Sequence, residues 1–432
     1  MRVIIKSFKV RLLPNNKQKT KFFQFAGASR FAYNWALNKE MANFREGRKF
    51  QNNYELRKEF TLLRNSDEFS WLQTISNNVT KQAIKDLHQA FTMFFDEQKK
   101  SDYVKYSQKK IEHFARIGKK LTVYDMNGHP KFRSKRNGDF RFYQDNVAIQ
   151  FTDTHVKFEH IAESRRKKRK KLNWIRLAEK GRIPVNAKYI NPRISFDGEY
   201  WWLSVGVVRA IKPIHGLTFA RKQTRPHAEG IGIDLGIKDL AICSDGTKVK
   251  NINKTGKVKK LKKKKRRLQR SISRKYQINK QGESYQKTSN IIKSEKRLLR
   301  INHKLTNIRT NHVHQATTAI IKRKPSFICL EDLNVRGMMR NKHLSEKIQE
   351  QKWYEFRKQI QYKARRAKIR VVIADRWYPS SKTCIECGNV KKDLKLSDRI
   401  YVCPVCGNTI DRDFQASLNL KRFGEARLKS AS

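Results

Sequence analysis

Two sets of residues in this sequence have types and spacings that could do chemistry. Cys384, Cys387, Cys403 and Cys406 form C-x2-C-x15-C-x2-C, a spacing in which two short turns bring four thiolates onto one tetrahedral zinc ion. Two disulfides would use the same residues, but a lysine-rich chain without a secretory segment is expected in a reducing compartment that disfavours them. The pattern predicts a structural Zn2+ ribbon. With all four ligand positions filled, it leaves no open site for zinc catalysis. The second set is acidic. Asp234 closes the apolar run GIGID, Glu331 follows the apolar run SFICL, and Asp413 opens a helical pattern with Ala416, Ser417 and Leu420 on one side. If they converge, such carboxylates could hold two hard divalent cations, activate a water and stabilise the leaving 3′ oxygen of a phosphodiester.

Spacing alone leaves that convergence open. The three acids lie roughly a hundred residues apart, and ordinary strand-end acids would look the same. Carboxylates crowd together only where a cation neutralises them. Asp239, Asp245 and Asp332 read as structural, and Cys243 and Cys329, in apolar strand-like runs, as buried thiols.

The elements that must position these groups sit in a very basic chain. Its 432 residues carry 98 Lys+Arg against 38 Asp+Glu, a net charge of +60. Self-repulsion on that scale requires a large polyanion, and the spread of cations suits nucleic acid, with more than one strand to neutralise. With 38% hydrophobic residues and 24 Phe, the chain can bury cores for two or three domains. No apolar run reaches the length of a membrane span, and MRVIIKSFKVRLL lacks an unbroken apolar core and a small-residue cleavage site.

In chain order, Met1 to Leu13 alternates as a strand with Phe8, Val10 and Leu12 on one face, and Pro14-Asn15-Asn16 breaks it. From Lys17, Phe22, Phe25, Ala26, Ser29, Ala32, Tyr33 and Ala36 repeat at helical spacing, and further helical patterns around Trp71, Leu72, Val79, Ala83, Leu87, Ala90, Phe91 and Phe94 predict a helix-bundle core. GHPKFRSKRNGDFRF interleaves cations with aromatics, a pattern suited to phosphate contact and base stacking. Arg165 to Lys171 is an unbroken cationic loop, and KYINPRISF–Asp197-Gly198–EYWWLSVGVV is a hairpin. These stretches predict a basic barrel-like domain that includes the first strand. After a linker, GIGIDLGIKDLAICSDG predicts two strands, the cation-rich 254–267 stretch and Ile291, Leu298, Leu305 and Ile308 a basic helical hairpin. A helix from about Ser345 turns Ile348, Phe356, Ile360 and Ala364 inward, and the strand IRVVIA leads to the cysteines.

In this order GIDLGIKDLAICSDG, ICLEDLNV, YPSSKTCIECG with YVCPVCG, and DRDFQASLNL resemble the TnpB family, transposon-encoded RNA-guided nucleases (OrfB-type, RuvC-like) related to type V CRISPR effectors. FKVRLLPNNKQ, ASRFAYNWALN and KGRIPVNAKYINPRISFDGEYWWLSV extend the resemblance over nearly the whole chain. It implies an α+β multidomain fold. An RNase H-like (RuvC) domain would span 230–380 and 408–423, with its basic helical hairpin at 254–312, interrupted by a target-binding zinc ribbon at 381–407. A wedge β-barrel would span 1–14 and 121–215, with a helical recognition lobe inserted at 15–120, a linker at 216–229 and a tail at 424–432. Implied catalytic residues and Mg2+ ligands are Asp234, Glu331 and Asp413. Asp413 rather than Asp411 is matched because the family's last acid precedes an x-Asn-Ala pattern, here Phe414-Gln415-Ala416. Gln415 replaces the commoner Asn, which alters a neighbouring hydrogen bond and leaves the ligand intact; Asp411 then reads as the helix cap.

The implied partners are a guide (omega) RNA from the element end and double-stranded target DNA, cut next to a short motif. The wedge and lobe would read that motif, with Arg30, Tyr33, Asn34, Lys131, Arg133 and Lys135 as candidate nucleic-acid contacts. A monomer in a prokaryotic cytoplasm, nucleoid-associated when bound, is expected, with no membrane partner. Three rivals stand beside this. An RNA-guided DNA-binding regulator without cleavage would be expected to have lost acids of the triad. A conventional RNase H-like transposase has no use for the wedge and lobe. A plain zinc-ribbon RNA-binding protein leaves the acidic motifs unexplained.

Overall fold

A computed structural model of the chain describes residues 2–135, 138–159, 161, 171–211, 229–282, 284–395 and 398–430. The expected linker, apart from Glu229, and the cationic loop before Lys171 lie outside the described residues. The chain divides into two units, Met1–Thr218 and Phe219–Ser432.

In the first unit, strand β1 (Arg2–Leu13) ends at Pro14 and helix α1 (Asn16–Arg45) follows at once. Asn15 caps it: its side chain accepts the Gln18 N–H at 2.9 Å, and Gln18 reaches back to the Asn15 N–H at 2.9 Å, a complete capping box. The amide of Gln18 also donates to the carbonyls of Leu172 and Trp174, tying the helix to the strand that begins there. The apolar stripe read from the sequence is buried throughout, with Phe22 set among Phe142, Phe158 and Trp201 at ring-centroid distances of 5.5, 5.9 and 5.0 Å. Helices α2 (Asn53–Asn65), α3 (Asn77–Gln98) and α4 (Gln108–Arg116) complete the helical part. Trp71, expected in its core, is instead 45% exposed, with its ring edge-on to Phe31.

Strands β2 (Arg141–Tyr143), β3 (Gln150–Phe151), β4 (His155–Lys157), β5 (Trp174–Leu177), β6 (Lys188–Phe196) and β7 (Trp201–Ile211) join β1 in one antiparallel sheet of order β2-β6-β7-β1-β5-β4-β3. The expected hairpin is β6–β7. Asp197 accepts the N–H groups of Glu199 and Tyr200 at 3.0 and 2.8 Å, and Gly198 takes φ +94°, the left-handed region that only glycine enters cheaply. Helices and sheet share one continuous core, from Val10 to Val207.

One member of the α1 stripe is an acid. Glu40 is 4% exposed, and burial pushes its carboxyl up to about 7. The folded state therefore holds this proton more tightly than the unfolded chain does. Stability from this site falls as pH rises from about 4.5 through 7, the reverse of a salt-bridged acid. Glu40→Gln should stabilise by about 1 kcal/mol at pH 8, after allowance for solvent screening, and by little at pH 4.5. Thermal melts at the two pH values check this; a larger gain at the acidic pH contradicts it.

The second unit is built on a mixed sheet of order β10-β9-β8-β13-β14. Its strands are β8 (Ile231–Asp234), β9 (Asp239–Cys243), β10 (Lys248–Lys250), β13 (Phe327–Glu331) and β14 (Arg370–Ala374). β8, β13 and β14 run parallel, β9 and β10 antiparallel, so the C-terminal ends of the parallel strands share one edge. Cys243 and Cys329 are buried, and burial pushes both thiols up to about 12. Helices α5 (Gly256–Ile278) and α6 (Ser289–Lys322) form the basic hairpin, with a small ladder of β11 (Lys280–Gln281) and β12 (Ser284–Tyr285) at its tip. Val258, Ile301 and Leu305 close a small core between the helices, and α6 runs past the expected end at 312. The single helix expected from Ser345 is two, α7 (Ser345–Gln351) and α8 (Trp353–Ala367), because Lys352 takes φ +56° and breaks the helical path. The predicted inward residues are buried all the same.

Helix α9 (Arg412–Lys429) crosses the back of this sheet and absorbs most of the expected tail. Gly232 is what lets it approach: a Cβ there would lie 2.0 Å from the Ser417 carbonyl oxygen and 2.4 Å from the Lys421 nitrogen, both backbone atoms with no rotamer to move to. Gly232→Ala should force α9 off β8 and cost about 2 kcal/mol or more. Urea unfolding reads the loss, and an unchanged midpoint contradicts the packing.

Candidate active site and cysteine centre

Sheet order explains how distant acids meet. β8 ends on Asp234, and β13 beside it ends on Glu331. α9, packed backbone to backbone on β8 at Gly232, begins one residue before Asp413. Asp411 caps that helix, its carboxylate accepting the Phe414 N–H at 2.9 Å. Burial, then the charges of Glu331 and Asp413, hold the Asp234 carboxyl well above the usual carboxylate range. Glu331 is raised too, by burial, although the Ser380 hydroxyl donates to it and opposes the shift. Electrostatically the three acids are one cluster. Asp413 accepts from the Arg412 guanidinium at 3.1 Å, with Arg399 3.9 Å away.

Several neighbours of this cluster were not visible in the sequence. Ser380 meets Glu331 across elements, which no local pattern announces, while Arg412 pairs with its own neighbour in the chain, Asp413. Asn419, on α9, donates to the carbonyls of Ser380 and Thr383 at 2.7 and 2.6 Å and so fixes the loop that carries Ser380. Gln415 is fully buried; its amide nitrogen donates to the Ser381 carbonyl at 3.4 Å and its side-chain oxygen has no hydrogen-bond partner among the described residues. Two of the three acids set aside as structural are paired: Asp245 with Arg323, and Asp332 with both Arg357 and Arg376.

The four cysteines meet more tightly than the acids. Among the described residues theirs is the only set of three or more candidate ligand atoms within 4.8 Å of one another. Cys384 and Cys406 sulfurs are 3.6 Å apart, Cys387 and Cys403 3.5 Å, and no disulfide joins them. Cys384 and Cys387 share one turn, and Cys403 and Cys406 a second of the same form. The N–H of Gly388 bonds the Cys384 carbonyl and that of Gly407 the Cys403 carbonyl, at 3.0 and 3.1 Å, with the glycines at φ +75° and +71°. Backbone N–H groups led by that of Cys406 pull the Cys403 thiol down to about 6, toward the thiolate a metal needs. A two-stranded ladder, β15 (Ile400–Val402) with β16 (Thr409–Asp411), runs from this centre to the cap of α9.

The candidate nucleic-acid contacts in the first unit divide. Lys131 and Lys135 are exposed. Arg30 lies over Phe140 at 5.9 Å. Tyr33 is buried, with the Arg133 guanidinium stacked on its ring at 3.6 Å. Asn34 exchanges both its amide groups with the Arg133 backbone, at 2.9 and 2.8 Å. Arg133 itself faces Asp86 at 3.9 Å, and burial lowers it to about 10. The interleaved aromatics of that stretch, Phe140 and Phe142, pack on Phe23 and Phe22.

Family descriptions match in three blocks: "Helix-turn-helix domain" of the OrfB/IS605 type over residues 1–49, "Probable transposase" of the same type over 213–342, and "Cas12f1-like, TNB domain" over 353–420. In all three blocks the chain is similar to the TnpB (OrfB) family. Within the block named for a helix-turn-helix, it forms a strand and one 30-residue helix. Relatives match along the whole length. The "Putative RNA-guided DNA endonuclease InsQ" of Escherichia coli K12 is 27% identical over 98% of this chain and 93% of its own. A "Putative RNA-guided DNA endonuclease" of Streptomyces pristinaespiralis is 25% identical over 99% and 91%. A solved mini RNA-guided endonuclease, CRISPR-Cas_phi3, superposes with a TM-score of 0.44 at 12% identity over 97% of this chain and 92% of that one, too loosely to bear on the fold. No described helix is long and apolar enough to cross a membrane.

Proposed function

We propose that this chain is an RNA-guided DNA endonuclease of a transposable element, which binds a guide RNA from the element end and cuts double-stranded DNA beside a short motif. The observation that carries the reading is the convergence of Asp234, Glu331 and Asp413 at one sheet edge, where burial and mutual charge raise Asp234 and burial raises Glu331. Three acids held so close in a chain of net charge +60 fit a site for hard divalent cations. Bound there, two Mg2+ ions would supply a water nucleophile and charge stabilisation at the leaving oxygen. The protein's part is positional: β8 and β13 fix two ligands, α9 the third, and Ser380 orients the Glu331 carboxylate through its hydroxyl.

The mixed sheet, with Asp234 and Glu331 at adjacent strand ends, supports assignment as an RNase H-like RuvC domain. The seven-stranded sheet with its inserted helices supports a wedge and recognition lobe. The four thiols support Zn2+: a tetrahedron with 2.3 Å bonds has sulfurs roughly 3.8 Å apart, close to the pairs described. The charge has a use in neutralising guide RNA, heteroduplex and displaced strand. One face for it is the groove of about 540 Å3 between α5 and α6, lined by Lys264, Arg267, Arg297 and Arg300.

Guidance is tested by expressing the gene with its downstream flank, purifying the protein and sequencing the RNA that accompanies it. One discrete species that runs past the 3′ end of the gene is expected. A heterogeneous smear would mean that the positive charge gathers RNA indiscriminately.

A further inference from the structure

Trp377 is 85% exposed, although tryptophan is among the side chains that gain most from burial. Its backbone is far from free. It lies three residues beyond Ala374, the parallel-register partner of Glu331, and three before Ser380, whose hydroxyl donates to Glu331. The loop between is pinned at every step. Asp375 accepts the Trp377 N–H at 2.8 Å, and Arg376 bonds Asp332 at 2.5 Å. Tyr378 packs tilted against Phe423, ring centroids 4.8 Å apart, and donates its hydroxyl to the Asn419 carbonyl at 3.3 Å. The flanking residues are thus held by named partners, while the indole stays exposed on the loop that joins the end of β14 to Ser380. No aromatic ring or cation covers it among the described residues.

We infer that Trp377 is a stacking platform for an unpaired base of the DNA strand next to the phosphate being cut. This rests on the nuclease reading. In that reading the guide pairs with one target strand and displaces the other, and the displaced strand presents bare base faces. An indole on a rigid loop offers such a base a π-face at little conformational cost, and stacking of this kind tolerates any sequence. Arg376, the preceding residue, has one nitrogen on Asp332 and a side chain 47% exposed, which leaves it able to meet the adjoining phosphate.

The test uses the full chain loaded with its co-purified RNA and a target duplex built to match. Trp377→Ala should slow cutting about 10- to 100-fold with target binding changed less than about twofold. Trp377→Phe should recover most of the rate, and Trp377→Leu, of similar bulk, should not. In parallel, 2-aminopurine is placed at successive positions of each target strand and bound by the cleavage-dead Asp234→Ala protein. Quenching at one or two adjacent positions, lost in Asp234→Ala/Trp377→Ala, is the expected result. No quenched position, or equal rates for the Ala, Leu and wild-type proteins, overturns the inference. The fluorescence arm needs no cutting, so a wild-type protein that cuts nothing would defeat the nuclease reading alone.

Discussion

Asp234→Asn should abolish cutting, lowering the rate by at least about 10^3-fold, and at the same time make the metal-free protein more stable. The two effects share one cause. Asp234 is held well above its ordinary pKa by burial and by facing Glu331 and Asp413. Its ionised form therefore costs the folded state free energy at neutral pH, and that cost grows as pH rises above the unfolded value of 3.8. A neutral amide of the same shape removes the repulsion. It also removes a ligand, and metal sites supply several kcal/mol of transition-state stabilisation in such reactions, about 1.4 kcal/mol per tenfold in rate. Binding of Mg2+ to the wild type should raise its melting temperature in proportion to the logarithm of free cation; the variant should show little response. Guide RNA binding should be unchanged, because the basic surface is untouched. A folded variant that lost RNA binding, or melted lower in EDTA than the wild type, would count against the role given to Asp234.

Cys403→Ser is the second large effect. A four-thiolate zinc site contributes on the order of 10 kcal/mol to the structure it closes, and one serine leaves three ligands and a weak fourth. Cys403 anchors the second turn, from which β15 and β16 lead to Asp411, the cap of α9. Release of the metal should therefore unfold roughly residues 381–410 and free the start of α9, where Asp413 sits. Zinc content should fall from about one per chain to near zero, cutting should fall with it, and hydrogen exchange should speed up in the ribbon while β8 and β13 stay protected. Full zinc content in the variant would sink the assignment.

These outcomes trace how far the sequence could be read. The cysteine turns were legible because a local spacing builds a local structure, and the Asp411 cap and the Asp197-Gly198 hairpin for the same reason. The strand ends carrying Asp234 and Glu331 were legible as strands. Their meeting was not, because it depends on β13 pairing parallel to β8 across an intervening helical hairpin, and on one glycine, Gly232, that admits a helix backbone. Resemblance to the TnpB family supplied that step in advance. The stretch GHPKFRSKRNGDFRF shows the opposite failure. Cations alternating with aromatics read as a nucleic-acid face, yet Phe140 and Phe142 pack on α1 and Arg133 lies over Tyr33 beside Asp86. Phe132, Lys131 and Lys135 of the same stretch stay exposed, because most of it is a loop with no fixed inward face. The break at Lys352 was invisible too, because no glycine or proline marks it.

The central claim is that the base sequence of a bound RNA decides where three converging acids cut. Its most direct measurement is cleavage by the RNA-loaded protein of two duplexes of equal length, one matching the 3′ segment of its RNA and one scrambled, each carried in a library of flanking sequences. With Mg2+, the matched duplex should be cut only beside one short flanking motif, the scrambled one not at all, and the Asp234→Ala protein should cut neither. Equal cutting of both duplexes, or cutting that survives loss of Asp234, would contradict the account.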